Sequence, residues 1–249
     1  VPLFNTEGII LRKYDCGEND EIVSLMSPDC GKIKVLVRGV RAITGSRVGK
    51  FELFSHVRVL LSTGKSLSVC SQVDGVEAHS RLRGDLLKSA YGLYVLELFD
   101  ALLPFREPEP HLFRLLRVVL SFIEAHQCYE RSTIFVLYQL LRLLGYGPSL
   151  RQCVNCGKDD EGIRFSASSG GVLCFHCAHC DASSMRISRE AASILRVLPK
   201  LTLKVLPDCE IVEMQARKVR ELFEYYIEYH FSQKINCSHY VSAVKSIIV

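Results

Sequence analysis

The stretch Gly31-Lys32-Ile33-Lys34-Val35-Leu36-Val37-Arg38 alternates: Ile33, Val35 and Val37 fall on one side of an extended chain, Lys32, Lys34 and Arg38 on the other. A strand has a side-chain period of two, so one register gives an apolar inner face and a basic outer one. Working outward, similar short runs occur at Thr6–Tyr14, Glu21–Met26, Phe51–Leu61 and Ser66–Ala78. Cys16-Gly17-Glu18-Asn19-Asp20, Pro28-Asp29-Cys30-Gly31 and Ser62-Thr63-Gly64 separate them with turn chemistry. Five strands within the first eighty residues predict a small closed barrel. Charge is segregated along it. Residues 1–31 carry two basic and six acidic side chains, whereas 32–65 carry eight basic residues against the single Glu52. A basic segment laid over a barrel face suits a polyanion.

Beyond Arg81 the period becomes helical, with helices expected at Asp85–Leu103, Pro110–Ala125, Arg131–Leu144, Ser188–Leu198 and about Ile211–Phe231. The second of these is a core helix: Leu112, Leu116, Val119 and Ile123 make its apolar stripe, and Arg114, Arg117, Ser121 and Glu124 a narrow wet one. The expected organisation is α+β, with a barrel domain over residues 1–80 and a helical domain over 81–249.

Embedded in that second part, at 151–182, is Cys153-x2-Cys156 followed after seventeen residues by Cys174-x2-Cys177. Two thiolate knuckles at this spacing form a zinc ribbon: four soft ligands close a tetrahedral shell, so one Zn2+ held by Cys153, Cys156, Cys174 and Cys177 would be structural rather than catalytic. His176, His179 and Cys180 stand beside the second knuckle as competing ligands. The remaining cysteines share no spacing, and their total of eleven, an odd number, argues against a disulfide framework.

The 249 residues carry a net charge of +4 and 48% apolar side chains, which is the composition of a folded chain rather than a disordered one. Arg114, Arg117 and Arg142 interrupt the most apolar stretches, so no window has the ~18 uncharged residues of a membrane span. Val1 to Glu7 shows no basic and apolar leader, and an intracellular protein is expected. Gly64-Lys65-Ser66 resembles the end of a phosphate-binding loop, but the glycine needed five positions earlier is Val59, so no nucleotide site is expected. No G-x-S-x-G or H-E-x-x-H occurs, and neither CxxC carries the context of a zinc deaminase. A non-enzymatic role is the expectation.

Thr6-Glu7-Gly8-Ile9-Ile10-Leu11-Arg12, Gly17-Glu18-x-Asp20-Glu21-Ile22-Val23, Gly31-Lys32-Ile33, Arg38-Gly39-Val40-Arg41 and Leu144-Gly145-Tyr146 leading into Cys153-x2-Cys156-Gly157 follow one another in the order found in the RecO family of bacterial recombination mediators. The chain resembles that family from about residue 6 to 180. The resemblance implies an OB fold, a helical domain and an embedded zinc ribbon. It further implies a DNA-repair factor of the bacterial cytoplasm and nucleoid. Such a factor binds single- and double-stranded DNA, anneals complementary strands, and helps load a recombinase on DNA coated with single-strand-binding protein. RecR is the implied partner. One departure is that Arg41 is followed by Ala42-Ile43-Thr44 where many members have adjacent basic residues.

The residues expected to carry nucleic acid are Arg12, Lys32, Lys34, Arg38, Arg41, Arg47 and Lys50, with Tyr14 as a stacking ring and Phe51 and Phe54 in the core. A mediator must also find the acidic, apolar-ended C-terminal tail of the single-strand-binding protein. Arg114, Arg117, Arg131 and Arg142 are the expected cationic rim for it. Three other readings compete. An RNA-binding or translation-associated barrel-plus-ribbon protein is separable by DNA and RNA competition. A zinc hydrolase with an open coordination position is separable by counting sulfur ligands. In a protein adaptor, the basic segment would be only a solvated face.

Overall fold

The computed structural model describes residues 2–40, 49–64, 67–159 and 162–248. Strands β1 (Leu3–Cys16), β2 (Asp20–Ser27), β3 (Gly31–Val37), β4 (His56–Ser62) and β5 (Ser68–Glu77) close into a barrel in the order β1-β2-β3-β5-β4. Every pairing is antiparallel except the joint of β3 with β5, where Val35 faces Ser68 and Leu36 faces Val69. This is an OB-like barrel, and closure removes the sheet edges that would otherwise recruit another chain. The alternation fills it as expected: Ile33, Val35 and Val37 of β3 pack with Ile10, Val23, Leu25, Val57, Val59, Leu61, Cys70 and Val73 in one core.

Two differences from the sequence reading concern this barrel. The expected strand 51–61 begins only at His56. Phe51 and Phe54 are buried in the turn before it, with Phe54 at φ 72°. Its ring lies where a Cβ on Gly92 would come within 2.8 Å. Lys32, expected on a basic exterior, is buried, because the outer face of β3 at this end is covered rather than solvated. The covering segment is Phe105–Glu107. Phe105 bridges to Lys32, and the amide of Arg106 donates to the Lys32 carbonyl at 2.9 Å. Gly31 is required beneath it: φ is 67°, and a Cβ there would stand 2.1 Å from the Glu107 carbonyl oxygen.

The helices are α1 (Ser80–Gly84), α2 (Leu86–Leu102), α3 (Pro110–Ala125), α4 (Tyr129–Leu143), α5 (Arg189–Val197), α6 (Glu213–Phe231) and α7 (Cys237–Ile248). Asp85 caps α2 by accepting from the amides of Leu87 and Lys88, each at 2.9 Å. The three-stranded ribbon sheet of β6 (Arg164–Ser166), β7 (Gly171–Leu173) and β8 (Met185–Arg186) has the order β7-β6-β8.

Contacts gather these elements into two compact units, 2–124 with 236–248, and 125–235. In the first, α7 packs on α2, and Glu97 of α2 accepts from the amides of Asn236 and Cys237 at 2.9 and 2.7 Å. In the second, α4 packs on α6 around a buried ion pair, Glu130 with Arg220 at 2.9 Å, and Arg220 also reaches Glu224 at 2.7 Å. No described helix is long and apolar enough to cross a membrane.

Candidate nucleic-acid interface and metal centre

Arg12 of β1, Ser24 of β2 and Lys34 of β3 are successive partners across three strands and so share one rung of the barrel's outer face. The C-terminal turn of α2 brings Asp100 against that rung. Its carboxylate accepts from the Ser24 hydroxyl at 2.7 Å and lies 3.7 Å from the Arg12 guanidinium. Lys32 points its ammonium at the Asp100 backbone carbonyl and stands 4.0 Å from the carboxylate. Burial pulls the Lys32 pKa below its ordinary value, with Asp100 opposing and Lys34 adding to the pull. Lys32 is therefore an internal brace.

Solvent meets a mixed cationic and aromatic surface here. The Arg12 guanidinium carbon lies 5.0 Å from the centre of the Tyr14 ring. The Lys34 ammonium lies 5.8 Å from that ring and 5.3 Å from the Phe105 ring, and Lys32 approaches Phe105 from beneath at 4.3 Å. These are cation–π distances. Tyr14 and Phe105 are both exposed, at 36% and 48%. Tyr14 carries a phenol whose pKa is raised by burial and by Asp100, against the opposing charge of Arg12.

Arg38 is exposed just past β3. Lys50 lies elsewhere on the barrel, its ammonium donating to the Val73 carbonyl at 3.0 Å beside a cavity of about 300 Å³ lined by Ser55, His56, Gly75 and Glu77. Arg41 and Arg47 lie outside the described residues, as do Lys65 and Ser66. Sequence reasoning missed Asp100 and Phe105. Asp100 belongs to α2, a helix apolar and buried on most of its sides, where a lone acid near the C-terminal end gives no sign of what it meets. Phe105 sits between Pro104 and Pro108, a punctuation that reads as linker.

The four arginines expected to hold an acidic tail divide between the two units. Arg114 and Arg117 are exposed on α3, and Arg142 is exposed on α4, bonded to Gln139 at 3.2 and 3.0 Å. Arg131 is occupied: its Nη1 donates to the carbonyls of Leu206, Pro207 and Cys209, and its Nε lies 3.4 Å from Glu213. That network anchors the turn before α6 and leaves Arg131 little capacity for a ligand.

In the ribbon, the sulfurs of Cys153, Cys156, Cys174 and Cys177 all lie within 4.8 Å of one another, with Cys156 and Cys174 at 3.8 Å. A tetrahedron with metal–sulfur bonds of about 2.3 Å has edges of about 3.8 Å, so the donor set fits a four-thiolate ion. Each knuckle is shaped by local bonds. Gly157, at φ 71°, donates to the Cys153 carbonyl at 2.8 Å, and Cys177 donates to the Cys174 carbonyl at 3.1 Å. Asn155 adds a donor that spacing does not reveal, its amide reaching the Cys177 sulfur at 3.3 Å.

Burial raises the Cys153 thiol, but the amides of Cys174, Cys156 and Asn155 outweigh it and hold the pKa at about 6. At Cys177 the Asn155 bond pulls down, yet burial and the three neighbouring sulfurs push the thiol up to about 12. A cation bound among these sulfurs would favour their thiolate form. His176, His179 and Cys180 are exposed and outside the four-sulfur group.

An OB-like barrel with a charged, aromatic outer face, followed by helices that enclose a four-cysteine metal-binding group, defines a class of modular nucleic-acid-handling proteins. Comparison with known proteins narrows the class. Residues 2–79 match the family described as recombination protein O N terminal, and residues 83–238 match recombination protein O C terminal. The chain belongs to the RecO family of DNA repair proteins. Similar proteins, each called DNA repair protein RecO, include one of Pelotomaculum thermopropionicum, 32% identical over 94% of this chain and 92% of the relative. Another, of Symbiobacterium thermophilum, is 36% identical over 80% of each. The Bacillus subtilis protein is 26% identical over 98% of this chain and 96% of its own.

Proposed function

We propose that this protein is a non-enzymatic recombination mediator: it binds single- and double-stranded DNA through the outer face of its barrel, anneals complementary strands, and helps load a recombinase on coated single strands. The rung of Arg12 and Lys34 beside two exposed rings carries this reading. Cations neutralise phosphates without reading sequence, and that tolerance suits a protein that must act wherever single strands arise. The four cysteines hold one zinc ion, which supplies folding energy to the ribbon and no reactive group.

RecR is the partner that the family suggests. The acidic tail of the single-strand-binding protein would meet exposed arginines: Arg114 and Arg117 of α3 in one unit, or Arg142 of α4 in the other, rather than Arg131, which the turn before α6 occupies. The bacterial cytoplasm, at the nucleoid, is where these partners would be met.

The test is annealing of complementary oligonucleotides by the full chain without nucleotide triphosphate. The wild type should anneal, and its single-strand affinity should fall with salt at a log-log slope of about −0.7 per phosphate contacted. The triple variant Arg12→Glu, Lys34→Glu, Arg38→Glu should lose both while keeping its melting temperature within a few degrees. Unchanged annealing in that folded variant sinks the barrel-face site, and tighter binding to RNA than to DNA of the same sequence would reassign the substrate.

A further inference from the structure

The charge on the barrel face is not all available to phosphate. Asp100 lies against Arg12 and Lys32, and Lys32 is buried under the Phe105–Glu107 segment, whereas Lys34 on the Arg12–Ser24 rung has no carboxylate within ion-pair distance among the described residues. What this face does offer outward is aromatic: Tyr14 from β1 and Phe105 from the segment after α2, with the Lys34 ammonium within 6 Å of both ring centres. Phe105 is nearly half exposed although it is one of the largest apolar side chains, and its backbone is fixed by the bridge to β3 and the Arg106 bond. Arg106 itself adopts φ 63° and donates its guanidinium to the Gly64 carbonyl at 3.1 Å, which pins the segment at a second point. What sets the Phe105 ring apart from other exposed apolar side chains is its setting: a rigidly held aromatic face beside a second exposed ring, Tyr14, with a cation within reach of both.

We propose that Tyr14 and Phe105 form a stacking platform for unpaired nucleobases, and that Lys34 between them takes the adjoining phosphate. The proposal rests on the nucleic-acid-binding reading above and makes it more specific. The site recognises the π-face of a base, which duplex DNA conceals, and so selects single strands over duplex. Lys32 and Asp100 are positioning residues: the Lys32 ammonium supports Phe105 from beneath at 4.3 Å, and Asp100 holds that ammonium in place.

The experiment compares the full-length chain and its variants on three probes: a single-stranded oligothymidylate, an abasic oligomer of the same length, and the matching duplex. Phe105→Leu and Tyr14→Leu keep apolar bulk over Lys32 and Arg12 but remove the π-face. Each should weaken binding to the oligothymidylate about 5- to 150-fold, the range found when aromatic platforms are truncated. Binding to the abasic oligomer and the duplex should change less than twofold, and the salt slope should stay that of the wild type. Phe105→Trp should restore the oligothymidylate affinity.

Equal losses on the abasic and base-bearing strands, or no loss on either, would overturn the platform while leaving phosphate-driven binding intact. A wild type that fails to bind any of the three probes would overturn the broader reading as well. Competition by an acidic, apolar-ended peptide in place of the oligomer, with single-strand affinity insensitive to both leucine variants, would reassign the rings to a protein partner.

Discussion

The barrel and the ribbon solve the same problem with opposite means. The barrel buries a continuous set of aliphatic side chains from all five strands, and its core would remain closed if any single contact weakened. The ribbon has Cys153, Leu173, Cys174 and Cys177 at its centre, with Val154 packed alongside. Three of those four core residues are the proposed metal ligands. A sheet of two- and three-residue strands buries little apolar surface of its own to offset the entropy of ordering about thirty residues; Phe165 packing on Tyr226 of α6 supplies part of the folding energy, and an ion held by the four cysteines would supply the rest. The difference teaches where each part is expected to be fragile: the barrel to loss of volume, the ribbon to loss of the ion proposed for its four cysteines.

Three measurements break or sharpen that contrast. The largest effect belongs to metal removal. Structural zinc contributes apparent binding energies of about 10 kcal/mol or more in small domains. Chelation, or Cys153→Ser, should therefore release the ribbon and abolish stoichiometric metal. Hydrogen exchange should show the amides of β6 and β7 losing protection while those of β1 to β3 keep theirs. Retained metal and retained ribbon protection would remove the contrast.

Next comes volume. Phe51 is fully buried in the barrel core. Phe51→Ala should cost about 3–5 kcal/mol in denaturant unfolding and leave metal content unchanged. A cost below about 1 kcal/mol would mean that the barrel core is not close-packed there.

The smallest effect is a pH dependence confined to the barrel. His56 is buried beside Glu7, 3.2 Å away, and burial lowers its pKa below 6.5 in spite of the carboxylate, with Arg117 lowering it further. The folded state then prefers the neutral imidazole. The stability this represents is complete above about pH 6.5 and is lost as pH falls below that, because the unfolded chain takes up the proton first. His56→Gln should flatten the barrel's unfolding profile below pH 6.5, the smallest change of the three. An unaltered slope would show that another group titrates there.

Much of this was legible beforehand, and the reasons differ between regions. Alternation found the strands because the barrel interior is uniformly apolar, and doubled CxxC spacing found the cysteine group because each knuckle is a local turn. The start of β4 was not legible: Phe51, Leu53 and Phe54 carry a strand's composition, but the chain must turn there, with Phe54 in a left-handed conformation, before it can enter the barrel. Lys32 was misplaced because alternation distinguishes inside from outside a barrel but cannot show what later covers the outside. Phe105 and Asp100 reach the face from more than sixty residues downstream, a tertiary event without a local period. The short ribbon strands and α7 likewise owe their existence to packing, α7 through Glu97 and α2.

That last connection bears on how the chain comes into being. Residues 236–248 complete a unit whose other members end at residue 124, and the whole of 125–235 is interposed. During synthesis the ribosome delivers the barrel and α2 first, then the entire second unit, and only afterwards the helix that covers α2. The interposed unit has both of its junctions in hand before its host is finished, so it can mature as an autonomous passenger. The α2 surface around Tyr91 and Glu97 meanwhile remains uncovered. The first unit to be started is thus the last to be sealed.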